Sequence, residues 1–113
     1  MEAGGMEFKK IVAIVRTQVL GDVEDRLVSM RVKGISVTRV KGYGEYTTFI
    51  HPDWRFTHAR IEIYTEQSMV ELIVEAILES AHVGVAGDGI VAVLPVEKLY
   101  RIRSKSEITA EEI

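Results

Sequence analysis

Two short stretches of this chain carry residues suited to chemistry: Gly84-Val85-Ala86-Gly87-Asp88-Gly89 and, further on, Arg101-Ile102-Arg103. A glycine-rich turn brings bare backbone N–H groups within reach of an anion, and two arginines at strand spacing point to the same side. Guanidinium forks match phosphate oxygens, so the combination reads as a phosphate site. Alone, the turn is weak evidence, because glycines also stop a helix and turn the chain into a strand. No nucleophile, base and orienting group recur together, which favours binding over catalysis. The absence of cysteine excludes thiolate metal sites, disulfides and cysteine nucleophiles.

The elements that must position these residues follow from periodicity. Phe8 to Arg16 is a short apolar, β-rich run bounded by charge and predicts a buried strand. Leu20, Val23, Leu27 and Met30 recur at helical steps with charged residues between them, and Gly34 closes that helix. Ile35 to Lys41 alternates as a half-buried strand. Gly42 to Thr57 has no sustained period, and with its exit residue His58 it reads as a long exposed loop, 42–58. Arg60 to Thr65 alternates again, with Ile61 and Ile63 on one side and Glu62 and Tyr64 on the other. Glu66 to His82 predicts a second helix whose Glu71, Glu75 and Glu79 form a solvated stripe. A strand at Ile90 to Leu94 and a short one near Leu99 to Arg103 complete the series.

The order βαββαβ predicts an α+β, ferredoxin-like sandwich, an antiparallel sheet with both helices on one face. Lys10-Ile11-Val12-Ala13-Ile14 and Arg60-Ile61-Glu62-Ile63 open the two halves alike, as in a duplicated unit. The other sheet face, expected to carry Ile14 and Val37, needs a cover, and the simplest is another copy of the chain. The domain is set at 8–104, between a flexible segment 1–7 and a polar tail 105–113.

With 113 residues, 47% hydrophobic and 27% charged, the chain is long enough for one core and too apolar for a disordered protein. A net charge of −3 argues against a general nucleic-acid binder, which needs a basic face. No apolar run is long enough to span a bilayer and no signal-peptide pattern opens the chain, so membrane insertion is not expected and the cytoplasm is the expected location.

Four motifs, taken in order, carry a resemblance. Thr38-Arg39-Val40-Lys41-Gly42-Tyr43-Gly44, Arg60-Ile61-Glu62-Ile63, the Gly84–Gly89 turn and Tyr100-Arg101-Ile102-Arg103 are similar to the PII signal-transduction family over nearly all of Lys9 to Arg103. The resemblance implies cytoplasmic homotrimers of ferredoxin-like subunits that bind adenine nucleotides between neighbours, often with 2-oxoglutarate, and report to a transporter or enzyme through the loop. It implies no enzyme activity and no cofactor. On the family's nucleotide positions stand Gly87, Asp88 and Gly89, whose backbone faces phosphate, and Arg101 and Arg103, which bind it; Ile14, Gly34, Ser36, Gly42, Glu62 and Tyr64 stand around base and ribose. Around the second ligand stand Lys41, Gly42, Tyr43, Gly44, Tyr46 and His58.

The departures have chemical meaning. Ile90 replaces a phosphate-binding lysine, which tilts preference toward ADP or AMP over ATP. Tyr46 and His58 replace a glutamine and a lysine that serve 2-oxoglutarate, and the loop is shorter than usual. These changes resemble the divergent PII-like branches associated with carboxysomes or bicarbonate transport, and imply a small anion, bicarbonate first, as second ligand. Two alternatives stay open: a nitrogen regulator sensing ATP and 2-oxoglutarate, and a metal-responsive trimer using His51, Asp53, His58 and His82. The aromatics Tyr43, Tyr46, Phe49, Trp54 and Phe56 read equally as a partner surface or as a loop folded onto its own core.

Overall fold

The computed structural model describes residues 7–41 and 57–109. Strand β1 (Phe8–Arg16) leads through a 3₁₀ turn (Thr17–Val19) into helix α1 (Leu20–Ser29), followed by β2 (Ile35–Val40). Strand β3 (His58–Glu66) leads through a second 3₁₀ turn (Gln67–Met69) into α2 (Val70–Ala81), then β4 (Ile90–Val96). The two halves thus repeat down to the turn between strand and helix. Two-residue strands β5 (Tyr100–Arg101) and β6 (Ser106–Glu107) pair in a hairpin.

All pairings in the main sheet are antiparallel, in the order β2-β3-β1-β4. This is the ferredoxin-like α+β arrangement, with both helices packed on one face. Ile11, Ala13, Val15, Ile61 and Ile63 face Val23, Leu27, Ile73 and Ile77 in a core from which water is excluded. Alternation within each strand sends the even-numbered side chains to the opposite, open face. There the β4 half is apolar, with Val12, Ile14, Ile90, Ala92 and Leu94, while the β3 half carries Arg60, Glu62 and Tyr64.

Several boundaries differ from those expected. Val37 pairs with Ile61 and therefore shares its helix-side face, at the exposed β2 edge, instead of belonging to the open face. The second helix starts at Val70, not Glu66. Glu66 still pairs with Phe8, and the Gln67 amide donates to the Glu7 carbonyl at 2.9 Å, so this amide closes the sheet before the helix can begin. His82 is already extended. Strand β3 starts two residues earlier than its alternation indicates, with His58 and Ala59 buried. Pro95 extends β4 because that strand is an edge, where a missing N–H is tolerated. The hairpin crosses the expected boundary between domain and tail at 104/105, and Glu7 is tied to the fold through its carbonyl.

No helix among the described residues is long and apolar enough to cross a membrane. The register makes a stability prediction: Ile61→Ala removes a fully buried side chain and is expected to cost about 2–5 kcal/mol. Val37→Ala, opposite it on the exposed edge, is expected to cost about 1 kcal/mol or less. Urea denaturation of both variants measures the contrast.

Candidate functional site

Helix α2 ends where the chain must turn back into edge strand β4, and the turn 83–89 is built by its own aspartate. The Asp88 carboxylate accepts the amides of Val83 at 3.0 Å and Gly84 at 2.8 Å, capping the first residues of the turn. Its other oxygen accepts Nε of Arg16 at 3.1 Å. The Gly84 amide above all, with the Val83 amide and Arg16, holds the carboxyl at a pKa of about 2, below its ordinary 3.8 and against the opposing effect of desolvation. The side chain of Asp88 is therefore structural, which leaves its backbone N–H for the phosphate role expected of it.

Gly87 and Gly89 both have positive φ, at 96° and 107°. Gly89 is constrained a second time, because a Cβ there would lie 1.8 Å from the Ile14 carbonyl oxygen. Only glycine lets the turn approach β1 this closely. Ile14 thus meets the turn through its backbone, and its side chain sits on the open face between Arg60 and Ile90.

Two further side chains hold the turn from the sheet. Arg16 Nη2 donates to the Ala86 carbonyl, and His58 Nε2 donates to the Gly87 carbonyl at 2.8 Å. A carbonyl only accepts, so the proton sits on Nε2; in the neutral ring Nδ1 then accepts the Thr57 hydroxyl at 2.8 Å. His58 is buried with both ring nitrogens engaged. Both nitrogens of a ring expected around the second ligand are thus engaged within the chain. Sequence reasoning missed Arg16 and Thr57. The only available signal for Arg16 was its place at the end of β1, one residue beyond a buried run.

Ser36, Glu62 and Tyr64, expected around base and ribose, lie on β2 and β3. Ser36 pairs with Glu62, and Gly34, with φ of 69°, stands just before β2. Glu62 is held by Lys10 at 3.4 Å and Arg60 at 3.3 Å, and the Lys10 ammonium also lies 5.7 Å from the Tyr64 ring centre. Tyr64 borders a cleft of about 280 Å³ that Met30, Arg31, Lys33, Glu66 and Met69 also line.

Arg101 and Arg103 lie beyond the opposite end of β4 from the glycine turn. The glycine turn precedes β4 and the hairpin follows it, so the seven residues of β4 separate them by roughly 20 Å of extended chain. Arg103 lies in the turn between β5 and β6, so strand alternation does not align it with Arg101 as expected. The hairpin is exposed throughout, Ile102 at 93%. Lys41 is exposed at the end of β2. Gly42, Tyr43, Gly44 and Tyr46 lie outside the described residues, as do Phe49, His51, Asp53, Trp54 and Phe56. Among the described residues no three metal-ligating side chains cluster.

Comparison with known proteins gives a consistent result. The family profile described as Nitrogen regulatory protein P-II matches residues 8–106. The Nitrogen regulatory protein P-II of Azospirillum brasilense is 38% identical over 108 residues, covering 85% of this chain and 92% of its own. That of Microchaete diplosiphon is 31% identical over 113 residues, covering 89% and 96%. The crystal structure of Arabidopsis thaliana PII bound to citrate superposes with a TM-score of 0.78 at 30% identity, covering 95% of this chain and 92% of that one.

The lowered Asp88 pKa predicts an acid-sensitive turn. A carboxylate with a depressed folded-state pKa contributes its stability above the ordinary value, 3.8, and loses it as pH falls toward about 2. Asp88→Asn is therefore expected to melt below the parent protein at neutral pH, with the gap closing between about pH 4 and pH 2. Thermal melts of both proteins across that range check it.

Proposed function

The chain belongs to the nitrogen regulatory protein P-II family, a family of signalling proteins, and from that premise we propose that it binds adenine nucleotides between neighbouring copies of a homotrimer. The observation that carries this reading is the separation of the glycine turn from the arginine hairpin by the full length of β4. A phosphate held by both needs the turn of one copy and the hairpin of the next. The half-apolar open sheet face supports self-association, since Ile90 and Leu94 are exposed there in the single chain.

Within this reading the backbone N–H groups of Gly87, Asp88 and Gly89 and the guanidinium groups of Arg101 and Arg103 hold the phosphates. Gly34, Ser36, Glu62 and Tyr64 surround base and ribose, with Gly42 and Ile14 nearby. Ile90 adds no charge beside the turn, which favours ADP or AMP over ATP. The nucleotide state passes to a protein partner, a transporter, an enzyme or a carboxysome component, through the segment that contains Gly42, Tyr43, Gly44 and Tyr46.

The second ligand is a small anion, with bicarbonate the first candidate and Lys41 and the backbone of Gly42 to Gly44 as its donors. The engagement of both His58 ring nitrogens supports this over a dicarboxylate that would need a cation at that position. The citrate in the Arabidopsis structure supports carboxylate binding by a protein of this fold. Sensing of 2-oxoglutarate with ATP is the competing reading, favoured by the names of the relatives.

Calorimetry and sedimentation test the proposal together. A trimer is expected at micromolar concentration, with ADP binding weakened by roughly 1.5–3 kcal/mol in Arg101→Ala or Arg103→Ala, the range for a charged hydrogen bond. Bicarbonate is expected to tighten ADP by the same factor as ADP tightens bicarbonate. A monomer, or unchanged affinity in both variants, contradicts the site; a response to 2-oxoglutarate with Mg-ATP in place of bicarbonate establishes the competing reading.

A further inference from the structure

We propose that Arg16 and His58 are positioning residues for the phosphate turn: by holding two successive carbonyls toward the sheet, they turn the next two amide N–H groups outward as an anion cradle. This inference rests on the nucleotide reading for the identity of the anion, and on geometry alone for the cradle.

In a trans peptide unit the C=O and the following N–H lie in one plane and point in opposite directions. The described residues contain no cis peptide. Arg16 holds the Ala86 carbonyl, so the Gly87 N–H points away from Arg16; His58 holds the Gly87 carbonyl, so the Asp88 N–H points away from His58. No described residue accepts a hydrogen bond from either amide, and Gly87 and Asp88 are half-buried, within reach of solvent. Two consecutive N–H groups turned away from the sheet, with no acceptor among the described residues, carry fixed partial positive charge outward.

The two gripping residues are neighbours, because Arg16 pairs with His58 across β1 and β3. Each supplies a donor that the turn cannot supply for itself. Gly87, with φ of 96°, has the conformational freedom for its peptide to rotate if the His58 donor is lost. Rotation would bring the Gly87 carbonyl lone pairs outward, against the phosphate oxygens the turn is meant to bind. The Gly87 carbonyl, which only accepts, places the ring proton on Nε2, and in the neutral ring the Thr57 hydroxyl satisfies Nδ1 and holds the ring in place.

The test compares His58→Leu, which removes the donor at similar volume, with His58→Gln, whose side-chain amide restores an N–H. ADP, adenosine and inorganic pyrophosphate are titrated by calorimetry into each full-length protein. ADP and pyrophosphate are expected to bind about tenfold more weakly to the leucine variant and to recover in the glutamine variant, while adenosine is unchanged. Nitrogen NMR of the parent protein is expected to show a protonated Nε2 and, on adding pyrophosphate, downfield shifts of the Gly87 and Asp88 amides. If the leucine variant does not fold, His58→Asn, whose amide is one methylene too short, takes its place against His58→Gln. Equal binding of ADP and pyrophosphate to donor and donor-free variants overturns the inference while leaving the nucleotide reading intact. A parent protein that binds pyrophosphate but not ADP overturns the nucleotide reading, and the loss of pyrophosphate in the leucine variant still supports the cradle. Binding of neither anion by the parent overturns both.

Discussion

The ion pair between Arg16 and Asp88 is the constraint on which the rest of the site depends. Asp88 closes the turn onto its own backbone at Val83 and Gly84, and Arg16 ties that closed turn to the end of the central strand β1. The Arg16–Asp88 ion pair and the Arg16–Ala86 hydrogen bond are modest in isolation, since part-exposed charge pairs and single hydrogen bonds are worth little. Their value is geometric: one guanidinium fixes both the Asp88 carboxylate and the Ala86 carbonyl, and so the direction of the peptide between Ala86 and Gly87. The glycine at 89 then lets the turn lie against the Ile14 carbonyl, where any side chain would collide.

The topology explains why such a site is available. With β1 and β3 in the centre of the sheet, their adjacent ends bring Arg16 and His58 under a turn that belongs to an edge strand. The same arrangement places Lys10 of β1 beside Glu62 of β3 in an ion pair. Edge strand β4 carries the turn at one end and the hairpin beyond the other. A duplicated strand, 3₁₀ turn and helix generates the scaffold, while the functional groups come from the connections, which differ between the halves.

Much of the fold was legible because periodicity reports burial directly. Ile61 and Ile63 alternate with Glu62 and Tyr64, and the structure buries the first pair and leaves the second on the open face. Alternation alone does not say which face is which across a pairing; the register of Val37 with Ile61 decides it. The helix start at Val70 was hidden because the controlling contact is the carbonyl of Glu7, sixty residues away in sequence. The turn glycines and Asp88 were visible as a motif, whereas Arg16 and Thr57 were not, since their partners are backbone groups on another element. The burial of His58 and the backbone carbonyl it holds are likewise set by another element, which no spacing rule encodes. Arg101 and Arg103 looked like a strand pair because a hairpin turn beginning at Ile102 leaves little trace in a run of charged and polar residues.

The proposed phosphate site is shared between copies, and its most direct test is complementation between two variants. Co-expression of two chains, one carrying Gly89→Ala to close the turn and the other Arg101→Ala to remove the arm, puts an intact turn and an intact arm together only at interfaces between unlike copies. Each variant alone is expected to bind ADP poorly, and purified mixed oligomers are expected to regain a fraction of full-affinity sites by calorimetry. Mixed oligomers that regain none would contradict a shared site.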